Sequence, residues 1–138
     1  MAELSRIGVA IDADLLSKFD ELIAQRGYTN RSEAFRDLIR DELVEKSWEE
    51  PESEVVGSVT LVYDHHVRML NEKLIDMQHD YHHNILSTLH VHLDHDNCLE
   101  VLVVKGKAER VQKLAKALIA TKGVKHGRLT ITATGADL

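Results

Sequence analysis

The sequence predicts an α+β chain in two parts: a strand followed by two helices, then a βαββαβ unit. Three observations carry this. Ile7, Val9 and Ile11 alternate with Arg6, Gly8 and Ala10 as in a short strand. Two helical apolar stripes follow before residue 44. From Val55 onward, period-two and helical patterns succeed one another in the order strand, helix, strand, strand, helix, strand. Between the two parts, EKSWEEPESE at residues 45–54 holds the only proline, the only tryptophan and five glutamates. Such a composition reads as a solvated linker, and proline stops helix propagation, so the expected domains are residues 1–50 and 51–138.

At 138 residues, 43% hydrophobic and 29% charged, the chain reads as soluble and able to bury a core. A single cysteine excludes an internal disulfide framework. No apolar run approaches the roughly 18 residues of a membrane span, so no membrane partner is expected. The opening MAELSRIGVAID lacks a signal core, which makes the cytoplasm the default compartment. A net charge of −6, with six Lys/Arg against nine Asp/Glu in residues 1–44, argues against indiscriminate nucleic-acid binding. Any DNA contact must be local.

In the first part, Asp12 can cap a helix carrying Leu15, Leu16, Phe19, Leu22 and Ile23, with Gly27 suited to its end. Asn30-Arg31-Ser32-Glu33 is a capping-box pattern for a second helix, whose apolar positions are Ala34, Phe35, Leu38, Ile39 and Leu43. One strand and two short helices leave both strand edges unpaired and cover too little apolar surface. An intertwined dimer solves this in the ribbon-helix-helix arrangement, whose antiparallel ribbon enters the DNA major groove. Arg6, Gly8 and Ala10 form its outward face, while Asn30, Arg31 and Ser32 at the helix start suit a phosphate. The same segment could instead only dimerise, or bind a protein as antitoxin-like modules do.

In the second part, the expected elements are strand Val55–Tyr63, helix about 67–83, strand Ile85–Leu93, strand Cys98–Val104, helix about 108–121 and strand 124–133. A ferredoxin-like βαββαβ layout covers one sheet face with both helices. Leu89, Val91, Leu93, Leu99, Val101 and Val103 are expected towards the helices, which puts His90, His92 and Cys98 on the opposite face.

The chemistry lies in LHVHLDHDNCLE, residues 89–100. With residues 93–97 as a five-residue hairpin loop, His92 stands opposite Cys98 and His90 opposite Glu100. Two imidazoles and a thiolate then converge. Singly, each reads as a solvated strand residue or a small buried hydrophobe; together they read as metal ligands. Further candidates, His79, His82 and His83, sit at i, i+3 and i+4 on the preceding helix. His79 of the same chain would stand behind its own sheet, so the fourth ligand is expected to be His79 of a neighbouring chain. Such a site suits Zn(II), Cu(II) or Ni(II), and ligand identity does not choose among them. Glu100 is a candidate for orienting an imidazole. Asp64, His65, His66, His82 and His83 are candidates for weaker secondary metal sites, whereas His95 and His126 read as ordinary surface histidines.

The HxH…C stretch at His90, His92 and Cys98, the upstream Gln78-His79 and the NRSEAFRDLIR run at residues 30–40 together resemble the nickel-responsive regulators of the NikR family. The resemblance spans essentially the whole chain at consistent spacing. It implies an ACT-like regulatory domain, Ni(II) as the metal at one ion per chain, a homotetramer built as a dimer of dimers, and double-stranded operator DNA with an inverted repeat as partner. It also implies a DNA-backbone contact at Arg68 and a low-affinity cation held by Glu33 and Asp37. The chain departs from the family at Gly8 and Ala10, where small hydroxyl residues are usual. Three functions compete: a metal-dependent repressor, a hydrolase using the metal or a Cys98/His pair, and a metal-storage or antitoxin-like interaction protein. Four protein ligands would close the coordination sphere and no carboxylate base stands beside the histidines, which argues against the enzyme.

Overall fold

The computed structural model describes residues 3–138. Its contacts divide the chain into two units, residues 1–40 and 41–138.

The first unit contains helix α1 (Ala13–Gln25) and the opening turns of helix α2 (Arg31–Glu49). Asp12 caps α1 by accepting from the Asp14 N–H at 2.8 Å. Gly27, at φ +87°, ends the helix, with the Tyr28 N–H returning to the Ile23 carbonyl at 2.9 Å. Asn30 caps α2 through the Glu33 N–H at 2.9 Å. Ile23 and Ala34 are buried, and Phe19 stacks on Phe35 with centroids 5.1 Å apart. Residues 3–12 form no strand in the single chain; the strand expected at residues 6–11 is one that pairs with a second copy. A strand needs a hydrogen-bonded neighbour, and Ile7 and Val9 remain 79% and 60% exposed without one. Leu38, Ile39 and Leu43 are likewise exposed.

The second unit is the ferredoxin-like layout: β1 (Glu54–Asp64), α3 (Leu70–Asp80), β2 (Ile85–His92), β3 (Asn97–Lys107), α4 (Ala108–Ile119) and β4 (Val124–Thr132). The sheet is antiparallel throughout, in the order β2-β3-β1-β4. Val55, Val59, Leu61 and Tyr63 of β1 join Cys98, Leu102 and Val104 of β3, Leu70 and Leu74 of α3, and the inner face of α4 in one core.

Two expectations are corrected here. Helix α2 does not dissolve into an acidic linker at residue 45: it runs to Glu49 and sinks Trp48 into the second unit's core. Glutamate and lysine are good helix formers, so the helix persists until the turn at Pro51. The Trp48 indole N–H donates to the Thr132 carbonyl at 2.9 Å, and Gln112 donates to the Trp48 carbonyl at 2.5 Å. Gly57 makes room for the ring, since a Cβ there would stand 3.0 Å from it.

The sheet faces are also the reverse of those expected. Cys98, Glu100, Leu102 and Val104 are the buried, helix-facing residues of β3. Leu89, Val91 and Leu93 point away and are 59%, 39% and 53% exposed. Both faces of CLEVLVV are apolar, so alternation alone does not fix which one the helices cover.

Candidate metal centre

The hairpin that carries the candidate ligands is shaped by its own side chains. Asp94 accepts from the N–H groups of Asp96 and Asn97 at 2.9 and 2.8 Å, and from the Asn97 amide. These bonds, led by the Asn97 amide, pull the Asp94 carboxyl down to about 2. The Leu93 N–H closes the turn on the Asn97 carbonyl at 2.9 Å. The resulting register pairs His92 with Cys98 and His90 with Glu100, as the sequence predicts.

Cys98 lies on the central strand β3 with no exposed surface. Its sulfur is 3.4 Å from Nδ1 of His92 and 3.2 Å from Nδ1 of His65. Burial, followed by the charges of Asp64, Asp94 and Glu100, pushes the thiol up. It is therefore a neutral thiol at neutral pH until a cation replaces its proton. The three donor atoms lie within 4.8 Å of one another. Around an ion about 2.0 Å from nitrogen and 2.3 Å from sulfur, neighbouring N and S ligands stand about 3.0 to 3.5 Å apart. The observed separations fit that chemistry.

His65 enters this trio although its sequence position suggests only a secondary role. The signal lies in topology: Tyr63 pairs with Cys98 and Asp64 with Asn97, so the residue after β1 emerges beside the thiol. His90 sits on the same face, its ring 5.3 Å from that of His92 and edge-on to Tyr63 at 6.1 Å. His79 is exposed in the last turn of α3, with its ring 6.3 Å from that of His82. Neither His79 nor His90 joins a set of three clustered donors among the described residues.

Contrary to the sequence expectation, α3 does not stand behind the ligand face, because Gln78 of α3 donates to Glu100 Oε1 at 3.1 Å on the Cys98 side of the sheet. Glu100 is buried, and its other oxygen accepts from the Tyr63 hydroxyl at 3.2 Å. Burial, then the Glu100 charge, pushes the Tyr63 phenol up and keeps it a donor. Glu100 thus links α3 to the strand pair that carries His90 and Cys98.

Of the remaining candidates, Asp64 caps the following turn through the His66 N–H at 2.8 Å. His82 and His83 occupy the 3-10 turn His82–Asn84, their rings 3.9 Å apart, and His82 Nδ1 lies 3.0 Å from the His79 carbonyl. Glu33 and Asp37 line a cleft of about 280 Å³ with Tyr28, Arg36 and Arg40. Asp37 accepts from the Tyr28 hydroxyl and lies 3.9 Å from Arg40. Arg6, Gly8 and Ala10 are exposed, as are Asn30, Arg31 and Ser32. Arg31 makes a two-pronged contact with Asp20 at 2.8 and 2.7 Å. Arg68 is exposed in the turn before α3, next to Met69 at φ +68°.

Comparison with known proteins matches residues 56–132 to the NikR C terminal nickel binding domain and residues 5–46 to the ribbon-helix-helix protein, copG family. A protein of Solibacter usitatus named putative nickel-responsive regulator is 79% identical over 138 residues, all of this chain and 99% of the relative. Proteins of the same name from Pelobacter propionicus and Geobacter metallireducens are 60% and 61% identical over the same 138 residues, again with 99% of each relative covered. With both segments matched in order and close relatives alike from end to end, the chain belongs to the NikR family of nickel-responsive ribbon-helix-helix regulators, and is a regulator rather than an enzyme.

Proposed function

We propose that this chain represses nickel-uptake genes by coupling Ni(II) occupancy of a Cys98-centred site to binding of an inverted-repeat operator. The observation that carries the reading is the buried Cys98 thiol with Nδ1 of His92 at 3.4 Å and the His90 ring 5.3 Å from that of His92, on a hairpin whose turn is held by Asp94. The proposed ligands are His90, His92 and Cys98 of one chain and His79 of a second copy, with Ni(II) at one ion per chain supplying the bond between copies. Glu100, held by Tyr63 and Gln78, steadies the ligand strands. In support of several copies acting together, Leu89, Val91 and Leu93 leave an apolar sheet face open, and Ile7 and Val9 an unpaired edge. A ribbon dimer joined through such sheets gives a homotetramer with closed symmetry.

The matched segments end at 46 and begin at 56, on either side of a division near Pro51: residues 1–50 bind DNA and dimerise, with the end of α2 also packing Trp48 into the sheet domain, and residues 51–138 bind metal and tetramerise. Among the described residues no helix is long and apolar enough to cross a membrane. We place the activity in the cytoplasm, where operator DNA and a reduced thiol coexist. On DNA, Arg6 is the base reader, since Gly8 and Ala10 offer no side-chain donors, and Arg31, Asn30, Ser32 and Arg68 meet phosphates. The exposed Arg31–Asp20 pair is a weak competitor for Arg31, because exposed ion pairs contribute little. Glu33 and Asp37 are a proposed cation site, and His65 joins the proposed secondary ligands.

A gel-shift series with DNA upstream of a nickel-transport operon, with and without Ni(II), tests the function. Shifted complex only with the metal supports a nickel-dependent repressor; no sequence-specific shift in either condition favours a storage or antitoxin-like module. His79 in trans has its own test. Mixing His79→Ala chains with His92→Ala chains should regenerate complete sites in hybrid oligomers, read as recovered Ni(II) binding. A site built within one chain gives no recovery at any mixing ratio.

A further inference from the structure

Helix α3 is buried through Leu70 and Leu74 in its first half, while His79 in its last turn is exposed. A side chain outside the core takes its direction from the backbone on either side of it. Before His79, Gln78 is tied to Glu100 at 3.1 Å. After it, Arg110 of α4 supplies a second tie. The Arg110 guanidinium lies over the Tyr81 ring, its central carbon 4.6 Å from the centroid, and Nη2 reaches the Asp80 carbonyl at 3.5 Å. Its Nε donates to Oδ1 of Asn84 at 2.7 Å.

Asn84 makes this a firm anchor. It is buried, its Nδ2 donates to the Lys105 carbonyl on β3 at 3.1 Å, and its N–H donates to the Tyr81 carbonyl at 2.8 Å. Gly106, at φ +150°, leaves the room, since a Cβ there would collide with the Asn84 amide. Arg110 thus bridges the segment that leaves α3 to a fixed point on the central strand β3. The planar guanidinium can cover an aromatic ring and direct N–H groups at two oxygens at once, which a lysine point charge cannot do.

We propose that Arg110 is a positioning residue for nickel, fixing the end of α3 so that His79 is presented to the site of a neighbouring copy before the metal arrives. The inference rests on the reading of His79 as a ligand in trans. Arg110 acts through the backbone of Asp80 to Asn84, which follows His79 directly, and not as a ligand. Contacts of this kind orient a ligand and reduce the ordering that binding must otherwise supply. One consequence is specific. The chain that lends His79 and the chain that holds Cys98 are different copies, so the effect of Arg110 belongs to the lending chain alone.

The test is Ni(II) titration of mixed full-length chains, read by the thiolate-to-metal absorption band. A His79→Ala chain keeps His90, His92 and Cys98, and a His92→Ala chain keeps His79, so a regenerated site takes its His79 from the second chain only. Arg110→Ala is then added to one chain or to the other. On the His92→Ala chain it should weaken Ni(II) binding at the regenerated sites by about ten- to a hundredfold. On the His79→Ala chain it should leave that binding unchanged. Any general loss of stability is present in both mixtures and cancels in the comparison. Equal weakening in both mixtures, or weakening in neither, overturns the proposal. If the pair with Arg110 intact regenerates no sites, the in-trans reading fails and the proposal falls with it, a result seen before Arg110 is altered and so distinct from failure of the proposal alone.

Discussion

Replacing Cys98 with alanine removes the thiolate-to-nickel absorption band and weakens Ni(II) binding by on the order of 3 kcal/mol, about a hundredfold, a quarter share of the roughly 10 to 16 kcal/mol of a structural four-ligand site. The structural reason is that Cys98 is the atom on which the cluster converges, flanked by His65 and His92 at 3.2 and 3.4 Å. Because burial and neighbouring carboxylates raise the thiol, binding must expel its proton. Affinity therefore rises with pH across the neutral range. Metal titrations at several pH values check both the sign and the loss in the variant. Undiminished stoichiometry and spectrum in Cys98→Ala would show that the thiol is not a ligand.

Replacing Trp48 with alanine should cost about 3 to 5 kcal/mol of stability in the metal-free protein, the usual cost of emptying a large buried aromatic site. Trp48 is 5% exposed, its indole N–H holds the Thr132 carbonyl on β4, and its own carbonyl accepts from Gln112 of α4. Removal therefore leaves a cavity over Gly57 and an acceptor without its donor. At about 4 to 8 °C per kcal/mol for a domain of this size, the unfolding midpoint should fall by more than about 10 °C. A shift within a degree or two would mean that the end of α2 does not stabilise the sheet domain as described.

Much of the molecule is legible in its residues alone, for identifiable reasons. Asp12 and Asn30 announce the helix starts because their side chains satisfy N–H groups that helices leave open. The hairpin register follows from the turn residues Asp94 to Asn97, and it alone brings His92 to Cys98. Sheet polarity is not legible: β3 is apolar on both faces, so the face bearing Cys98 is set only by what packs against it. Trp48 is hidden by its acidic neighbours, since composition averages over the one residue that is buried. His65 and His66 approach Cys98 and the hairpin loop only through the pairing of β1 with β3, a contact more than thirty residues apart in sequence. Residues 6–11 form no strand in one chain because no hydrogen-bonding neighbour stands beside them there; in the proposed ribbon a second copy would supply it.

In the proposed function, nickel and operator act on one equilibrium. Linkage requires that, if Ni(II) raises operator affinity, operator raises Ni(II) affinity by the same factor, with couplings typically roughly 5- to 150-fold. The direct measurement is a Ni(II) titration of the full chain with and without saturating operator DNA, paired with operator titrations at zero and saturating Ni(II). The expected result is tighter nickel binding in the presence of operator, by the factor seen in the converse titration. Equal Ni(II) affinity with and without operator would contradict it.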